Sequence, residues 1–319
     1  MSLFHHHYNY DPGYGCSLDD LLAIPAPEEN PDFCRFWRDK YRQAVNIAAD
    51  YALTYQCSRA GYRVYDISYR STGDFAIGGW LLEPENQAVT QAIVVGHGYG
   101  GREQPDYHLQ IGGAALLFPC MRGISRSRNG SLPEQPNLHV LHAIEDPNQY
   151  VIGGCVEDIW LAVTVLAAIY PQCAERMGYM GISFGGGLGA LAAPWDRRIK
   201  RLHLNVPTFG NQPLRLSLPS SGSAAALKAH SQHHPRIFDT LAYYDAAVAA
   251  RHAVQPLHAA VALFDPVVAP PGQFAIYNAW SGEKRLFVLE AGHFEYPRQH
   301  EQDRQLVAEL LQFFGVSPV

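Results

Sequence analysis

At 319 residues, with 47% hydrophobic and 17% charged side chains, the chain has the balance of one large globular domain, which excludes a disordered or fibrous class. A net charge of −6 sets its field against nucleic acid and anionic membrane surfaces, so neither is an expected partner and a small neutral or cationic molecule is. Neither an apolar stretch approaching a membrane span, nor a fixed-period repeat, nor a basic-then-apolar leader is read along the chain, and the expectation is a cytoplasmic protein.

The polar and aromatic N-terminus carries His5, His6 and His7, which read as a solvated arm, with a cloning remnant or a weak metal site as alternatives. Apolar residues at Phe33, Phe36, Trp37, Tyr41, Val45 and Ala48 then recur near helical spacing and predict a helical extension over about 18–52. Residues 62–71 and 76–83 are β-rich and flank the turn cluster Ser71-Thr72-Gly73-Asp74, a hairpin pattern.

Beyond the hairpin the pattern changes. Short continuous apolar runs at 92–96, 114–119, 177–181, 202–206, 259–264 and 286–290 suit strands buried on both faces. Helical patterns fall between or after them at 156–170, 184–193, 240–252, 273–279 and 299–314. The alternation predicts a single α/β domain over 1–319, with a mostly parallel central sheet of about eight strands flanked by helices and an antiparallel hairpin at its N-terminal side.

Two long stretches interrupt this order. Residues 122–149 include the basic run 122–128, which reads as a solvated loop. Residues 207–235 read either as part of a lid-like insertion (about 207–256) over the strand ends or as a surface excursion. The six cysteines form no C-x-x-C pair, and Cys120, Cys155 and Cys173 read as reduced packing residues.

Chemistry enters at Gly181-Ile182-Ser183-Phe184-Gly185. A predicted strand precedes Ser183 and a small-residue helix follows it, the strand-to-helix elbow of the α/β-hydrolase fold, in which a strained serine is presented to substrate. No Gly-Lys-Ser/Thr ending supports a phosphate loop. A serine hydroxyl needs an imidazole to take its proton, and His293 follows the last predicted strand, where the fold's order of serine, acid and histidine puts it. Asp265, at the end of the strand 259–264 and fixed by Pro266, is the expected acid; Asp239, Asp245 and Glu290 read as caps or surface charges.

Two backbone amides are candidate oxyanion donors: Phe184 N–H at the start of the following helix, and Tyr99 N–H in the loop His97-Gly98-Tyr99-Gly100-Gly101. His97 is read as shaping that loop. His139-x-x-His142 and the group His230, His233 and His234 lack an accompanying cysteine or carboxylate pattern, so no metal and no cofactor are expected.

With these residues placed, the chain resembles the acetyl xylan esterase and cephalosporin C deacetylase family, carbohydrate esterase family seven, over nearly its whole length. The likeness rests on Asp19-Asp20-Leu21-Leu22, Phe36-Trp37, His97-Gly98-Tyr99, Arg122-Gly123, the Ser183 elbow, Thr240-Leu241-Ala242-Tyr243-Tyr244-Asp245, Asp265, Pro270-Pro271, Phe274-Ala275-Ile276-Tyr277-Asn278 and Gly292-His293. The resemblance implies an intracellular serine esterase that removes acetyl groups from small acylated carbohydrates or antibiotics, with Ser183, Asp265 and His293 as triad, Tyr99 and Phe184 as oxyanion amides, and a homo-oligomer. Phe184, Phe294 and Ile124 stand where the family usually has Gln, Glu and Gln. Other readings are a broad carboxylesterase or peptidase-like hydrolase, and a non-catalytic binding protein of the same fold.

Overall fold

The computed structural model describes residues 4–315. Nine strands form one sheet: β1 (Tyr51–Arg59), β2 (Tyr62–Arg70), β3 (Ala76–Pro84), β4 (Gln91–Gly96), β5 (Ala114–Pro119), β6 (Met177–Ile182), β7 (Ile199–Asn205), β8 (Leu257–Ala262) and β9 (Lys284–Leu289), in the spatial order β1-β2-β3-β5-β4-β6-β7-β8-β9. The pairs β1–β2, β2–β3 and β3–β5 are antiparallel, and every pair from β5–β4 to β8–β9 is parallel. The sheet is thus α/β with an antiparallel N-terminal side, as the residue pattern predicts.

Helices α1 (Leu18–Leu22) and α2 (Phe33–Val45) precede the sheet, and α3 (Pro136–His139) and α4 (Val151–Ile169) lie between β5 and β6. Next come α5 (Phe184–Ala192) after β6, then α6 (Gln212–Ser217), α7 (Ser223–Ser231), α8 (Ile237–Leu241) and α9 (Ala246–Ala250) before β8, α10 (Pro270–Ala279) between β8 and β9, and α11 (Gln299–Gly315) after β9. Every residue of β4, β5 and β8 is buried, which is why their sequences are continuous rather than alternating apolar runs. Successive side chains still take opposite faces: Val94 and Leu117 pack with the α4 and α5 side chains, whereas Ile93 and Leu116 pack with Leu306, Leu310 and Phe314 of α11.

Several features depart from expectation. The ninth strand is β1, where the predicted extension has helix to residue 52; α2 stops at Val45, and all nine β1 residues are exposed. An edge strand without a buried face has no alternation to read. The single helix predicted over 240–252 is two, because Asp245 caps α9 by accepting Ala247 N–H and Val248 N–H at 2.9 and 3.2 Å, and also holds Asn211 N–H at 3.1 Å. α4 is long and apolar enough to cross a membrane, and 78% of its apolar window is buried inside the protein. Finally, the arm is docked: Pro12 is buried, its carbonyl accepts Asp265 N–H at 3.0 Å, and Phe4 and His6 pack on Phe264 at 5.2 and 5.5 Å, although His5 and His7 are exposed.

The basic run is not uniformly solvated either. Arg122, its side chain 13% exposed, clasps Asp158 of α4, which is 0% exposed, through Nη2 at 2.6 Å, while Arg122 Nη2 also donates to Ser71 Oγ and Thr72 Oγ1. Arg126 lies over the Trp80 ring at 4.0 Å and Arg128 pairs with Glu134 in the open. Removing one partner of a buried pair leaves the other charge stranded. Arg122→Met is therefore expected to lower unfolding free energy by about 3–5 kcal/mol in urea titration; a loss below about 1 kcal/mol would show the pair to be solvated.

Candidate active site

Strand β6 delivers the chain to a sharp turn at Ser183, which has φ 54° and ψ −108°, a left-handed conformation that costs a non-glycine residue roughly 1–3 kcal/mol. The neighbouring glycines make the turn possible. A Cβ on Gly181 would strike the Gly185 carbonyl, and a Cβ on Gly185 would come within 2.8 Å of the Gly96 carbonyl carbon on β4. Ser183 is locked from outside as well: its N–H donates to Asn205 O at 2.8 Å, and its carbonyl accepts Thr208 N–H at 3.1 Å.

The three predicted side chains meet. Asp265 follows β8, and its Oδ2 lies 2.8 Å from His293 Nδ1; His293 Nε2 lies 2.9 Å from Ser183 Oγ. The carboxylate can only accept, so Nδ1 carries the proton, and the lone pair of Nε2 faces the serine hydroxyl. This is the arrangement in which an imidazole removes a hydroxyl proton and later returns one to a leaving group. The alternative acids are engaged elsewhere: Asp245 caps α9, Glu290 pairs with Arg298 at 2.7 Å, and Asp239 lies in the first turn of α8.

Asp265 is wholly buried, and its Oδ1 accepts Val267 N–H and Val268 N–H at 2.8 and 2.9 Å. Gln273, on α10, donates to Oδ2 at 3.0 Å and accepts Ala262 N–H at 2.8 Å, so one amide ties the acid to the end of β8. Sequence reading missed Gln273; its only signal is its place beside the Phe274-Ala275-Ile276-Tyr277-Asn278 run. The Phe294 ring, next to His293, packs on Phe264, next to Asp265, at 4.9 Å. Asp265 and His293 are thus joined by an aromatic contact between their neighbours as well as by their own hydrogen bond.

On the other side of Ser183, the loop after β4 approaches so closely that a Cβ on Gly98 would lie 3.9 Å from Ser183 Cβ. Among the described residues, neither Tyr99 N–H nor Phe184 N–H donates to another protein group. The two residues also stack on one another, with ring centroids 4.0 Å apart and planes at 21°. The Tyr99 hydroxyl donates to His139 Nδ1 at 2.9 Å, and His139 Nε2–H donates to Arg122 O at 3.0 Å. His97, as expected, shapes the loop: Nδ1–H donates to Gly98 O at 2.6 Å and Nε2 accepts Met121 N–H at 3.0 Å. Burial pushes His97 and His139 down to about 4, which keeps both imidazoles neutral.

A cavity of about 310 Å³ opens on Ser183, bounded by Tyr99, Phe184, Asn137, Thr208, Ser221 and Ser223 among others. Residues 207–235, which include α6 and α7, contribute Thr208, Ser221, Gly222 and Ser223 to the wall around the serine, and residues 122–149 contribute Pro136 and Asn137. A second cleft of about 290 Å³ lies against His293 and Phe294. A roomier cleft of about 530 Å³ reaches Gly98 and Ile182 without including Ser183, so the smaller cavity is the one that meets the hydroxyl. Tyr99 and Phe184 apart, the residues bounding the Ser183 cavity were not singled out by sequence reading, because Asn, Thr and Ser in loops carry no spacing signal.

The depressed values of His97 and His139 have a signed consequence. An unfolded imidazole takes a proton near 6.5 and the folded ones refuse it until about 4, so their stabilising effect is complete above 6.5 and is lost as pH falls toward 4. Each costs about 1.4 kcal/mol per pH unit in that window. In urea titrations between pH 6.5 and 4.5, His139→Gln should flatten the fall in stability by about that slope; parallel profiles would place His139 in solvent.

Known proteins resemble this chain in the same terms. The chain is similar to the acetyl xylan esterase from Paenibacillus sp. R4, with a TM-score of 0.79 and 22% identity over 92% of this chain and 99% of that one. It is similar to acetyl xylan esterase 1 from Thermoanaerobacterium sp. JW/SL YS485, with a TM-score of 0.81 and 17% identity over 94% and 99% of the two chains. The acylaminoacyl peptidase of Pyrococcus horikoshii shares the fold more distantly, with a TM-score of 0.63 and 17% identity over 80% of this chain and 41% of that one. The family described as acetyl xylan esterase (AXE1) matches residues 16–310. A match of that extent settles membership: the chain belongs to the acetyl xylan esterase family and is a carboxylic ester hydrolase.

Proposed function

We propose that this protein hydrolyses acetyl esters of small carbohydrates or related molecules through an acyl-enzyme on Ser183. The observation that carries the proposal is the unbroken hydrogen-bonded line from Asp265 through His293 to Ser183 at a cavity of about 310 Å³. That volume is at the small end of ligand sites. Its wall sets Tyr99, stacked on the wholly buried Phe184 ring, beside the polar residues Asn137, Thr208, Ser221 and Ser223, which suits a compact hydroxylated alcohol carrying a short acyl group.

Each step has a residue. Ser183 Oγ attacks the ester carbonyl as its proton passes to His293 Nε2, and the carbonyl oxygen becomes an oxyanion facing Tyr99 N–H and Phe184 N–H. Asp265 stabilises the imidazolium through Nδ1–H. His293 then protonates the departing alcohol, leaving acetyl on Ser183. A water molecule gives its proton to His293 and attacks the acyl carbon; collapse releases acetate and returns the proton to Ser183. No cofactor enters this sequence. Residues 207–235 act as the wall that selects the alcohol.

A series of para-nitrophenyl esters tests the reading. We expect kcat/KM to fall by about 10–100-fold from acetyl to propionyl and further to butyryl, since each methylene misfit at a close-fitting pocket costs about 1–3 kcal/mol. Equal or better turnover of butyryl and hexanoyl esters, with acetylated xylose untouched, would contradict the acetyl assignment.

A further inference from the structure

Three side chains that the esterase chemistry does not use converge where the N-terminal extension meets the core. Glu29 lies in the loop before α2, Cys34 in the first turn of α2, and His252 in the turn after α9 that leads to β8. Cys34 Sγ lies 3.5 Å from His252 Nε2 and 3.5 Å from Glu29 Oε1, and His252 Nε2 lies 2.8 Å from Glu29 Oε2. All three residues are half-buried.

These separations fit the shell of one zinc ion. With Zn–S near 2.3 Å and Zn–N or Zn–O near 2.0–2.1 Å, tetrahedral angles put sulfur about 3.5 Å from each lighter ligand and nitrogen about 3.3 Å from oxygen. Both sulfur distances already have that value. The sulfur contact is to Glu29 Oε1 and the 2.8 Å nitrogen contact to Oε2, so a rotation of the carboxylate has to bring one oxygen to the ion and open its distance to nitrogen by about half an ångström. A thiolate, an imidazole and a carboxylate together suit zinc and disfavour calcium and magnesium, which require oxygen ligands. Aromatic walls orient the ring: Phe33 lies nearly parallel to the imidazole at 6.3 Å and 23°, and Trp195 at 5.8 Å.

We infer that Glu29, Cys34 and His252 bind one Zn²⁺, with water as the fourth ligand. The ion is a structural clamp that ties α2 to the turn before β8, joining residues 218 positions apart in the chain. Binding releases the thiol proton of Cys34 to solvent, so the affinity rises with pH. The clamp is independent of the catalytic proposal, because none of its ligands lines the Ser183 cavity.

A competing place exists. Glu145 lies 3.2 Å from His230 Nε2, and the His230 and His234 rings stack at 4.2 Å and 11°, so a carboxylate does accompany that histidine group. It offers no sulfur, and thiolate coordination separates the two. Metal-free full-length protein should be titrated with Co²⁺ and followed spectroscopically. At one equivalent we expect a near-ultraviolet thiolate-to-cobalt charge-transfer band with the intense visible bands of four-coordinate cobalt. Zn²⁺ should displace both and raise Tm. Cys34→Ser should lose the charge-transfer band while retaining ester turnover and its far-ultraviolet circular dichroism; His230→Gln/His234→Gln should keep it. No charge-transfer band in the wild-type protein, or one unchanged in Cys34→Ser, would overturn the proposal.

Discussion

The structure around the serine depends on one buried carboxylate. An ionised group removed from water must be compensated by hydrogen bonds, and Asp265 receives them from His293 Nδ1–H, Val267 N–H, Val268 N–H and Gln273 Nε2. Each donor belongs to a segment that the requirement thereby positions: the loop after β9, the turn after β8, and α10. Gly292 obeys the same constraint, since a Cβ there would come within 2.5 Å of Asp265 Oδ2. Even the N-terminal arm is enlisted, because Pro12 O takes the backbone N–H of Asp265 and the Tyr10 hydroxyl donates to Pro266 O at 2.7 Å.

The second organising feature is aromatic. The Phe184 side chain is 0% exposed and spans from Tyr99 to Phe209, so its ring fixes the direction of its own backbone amide and of Tyr99's. Phe294 packs with Phe264 and Phe4, and Ile124 is buried beside Gly101, where it crowds the turn that follows Tyr99. At each of these positions the resemblance led to an expectation of a polar side chain. An apolar contact stands there instead.

Much of this was legible before any coordinates. Strands buried on both faces announce themselves as short apolar runs, and the sequence around Ser183 and His293 pointed to the turn and the imidazole that the fold brings 2.9 Å apart. What was not legible shares a cause: it depends on partners distant in sequence. The break between α8 and α9 is set by Asp245 holding Asn211 as well as its own helix, and Arg122 is drawn mostly out of solvent by Asp158 of α4. The strand β1 has no buried face to betray it, and Glu29 and Cys34 are ordinary surface residues until His252 is brought beside them.

The central claim, that Asp265 activates Ser183 through His293, is tested most directly by the rate at which a fluorophosphonate labels the protein. We expect a single adduct, located on Ser183 by peptide mapping, with Asp265→Asn slowing labelling by about 10³–10⁴-fold while circular dichroism and Tm show a folded chain. Labelling at another residue, or an Asp265→Asn rate equal to that of the wild-type protein, would contradict the account.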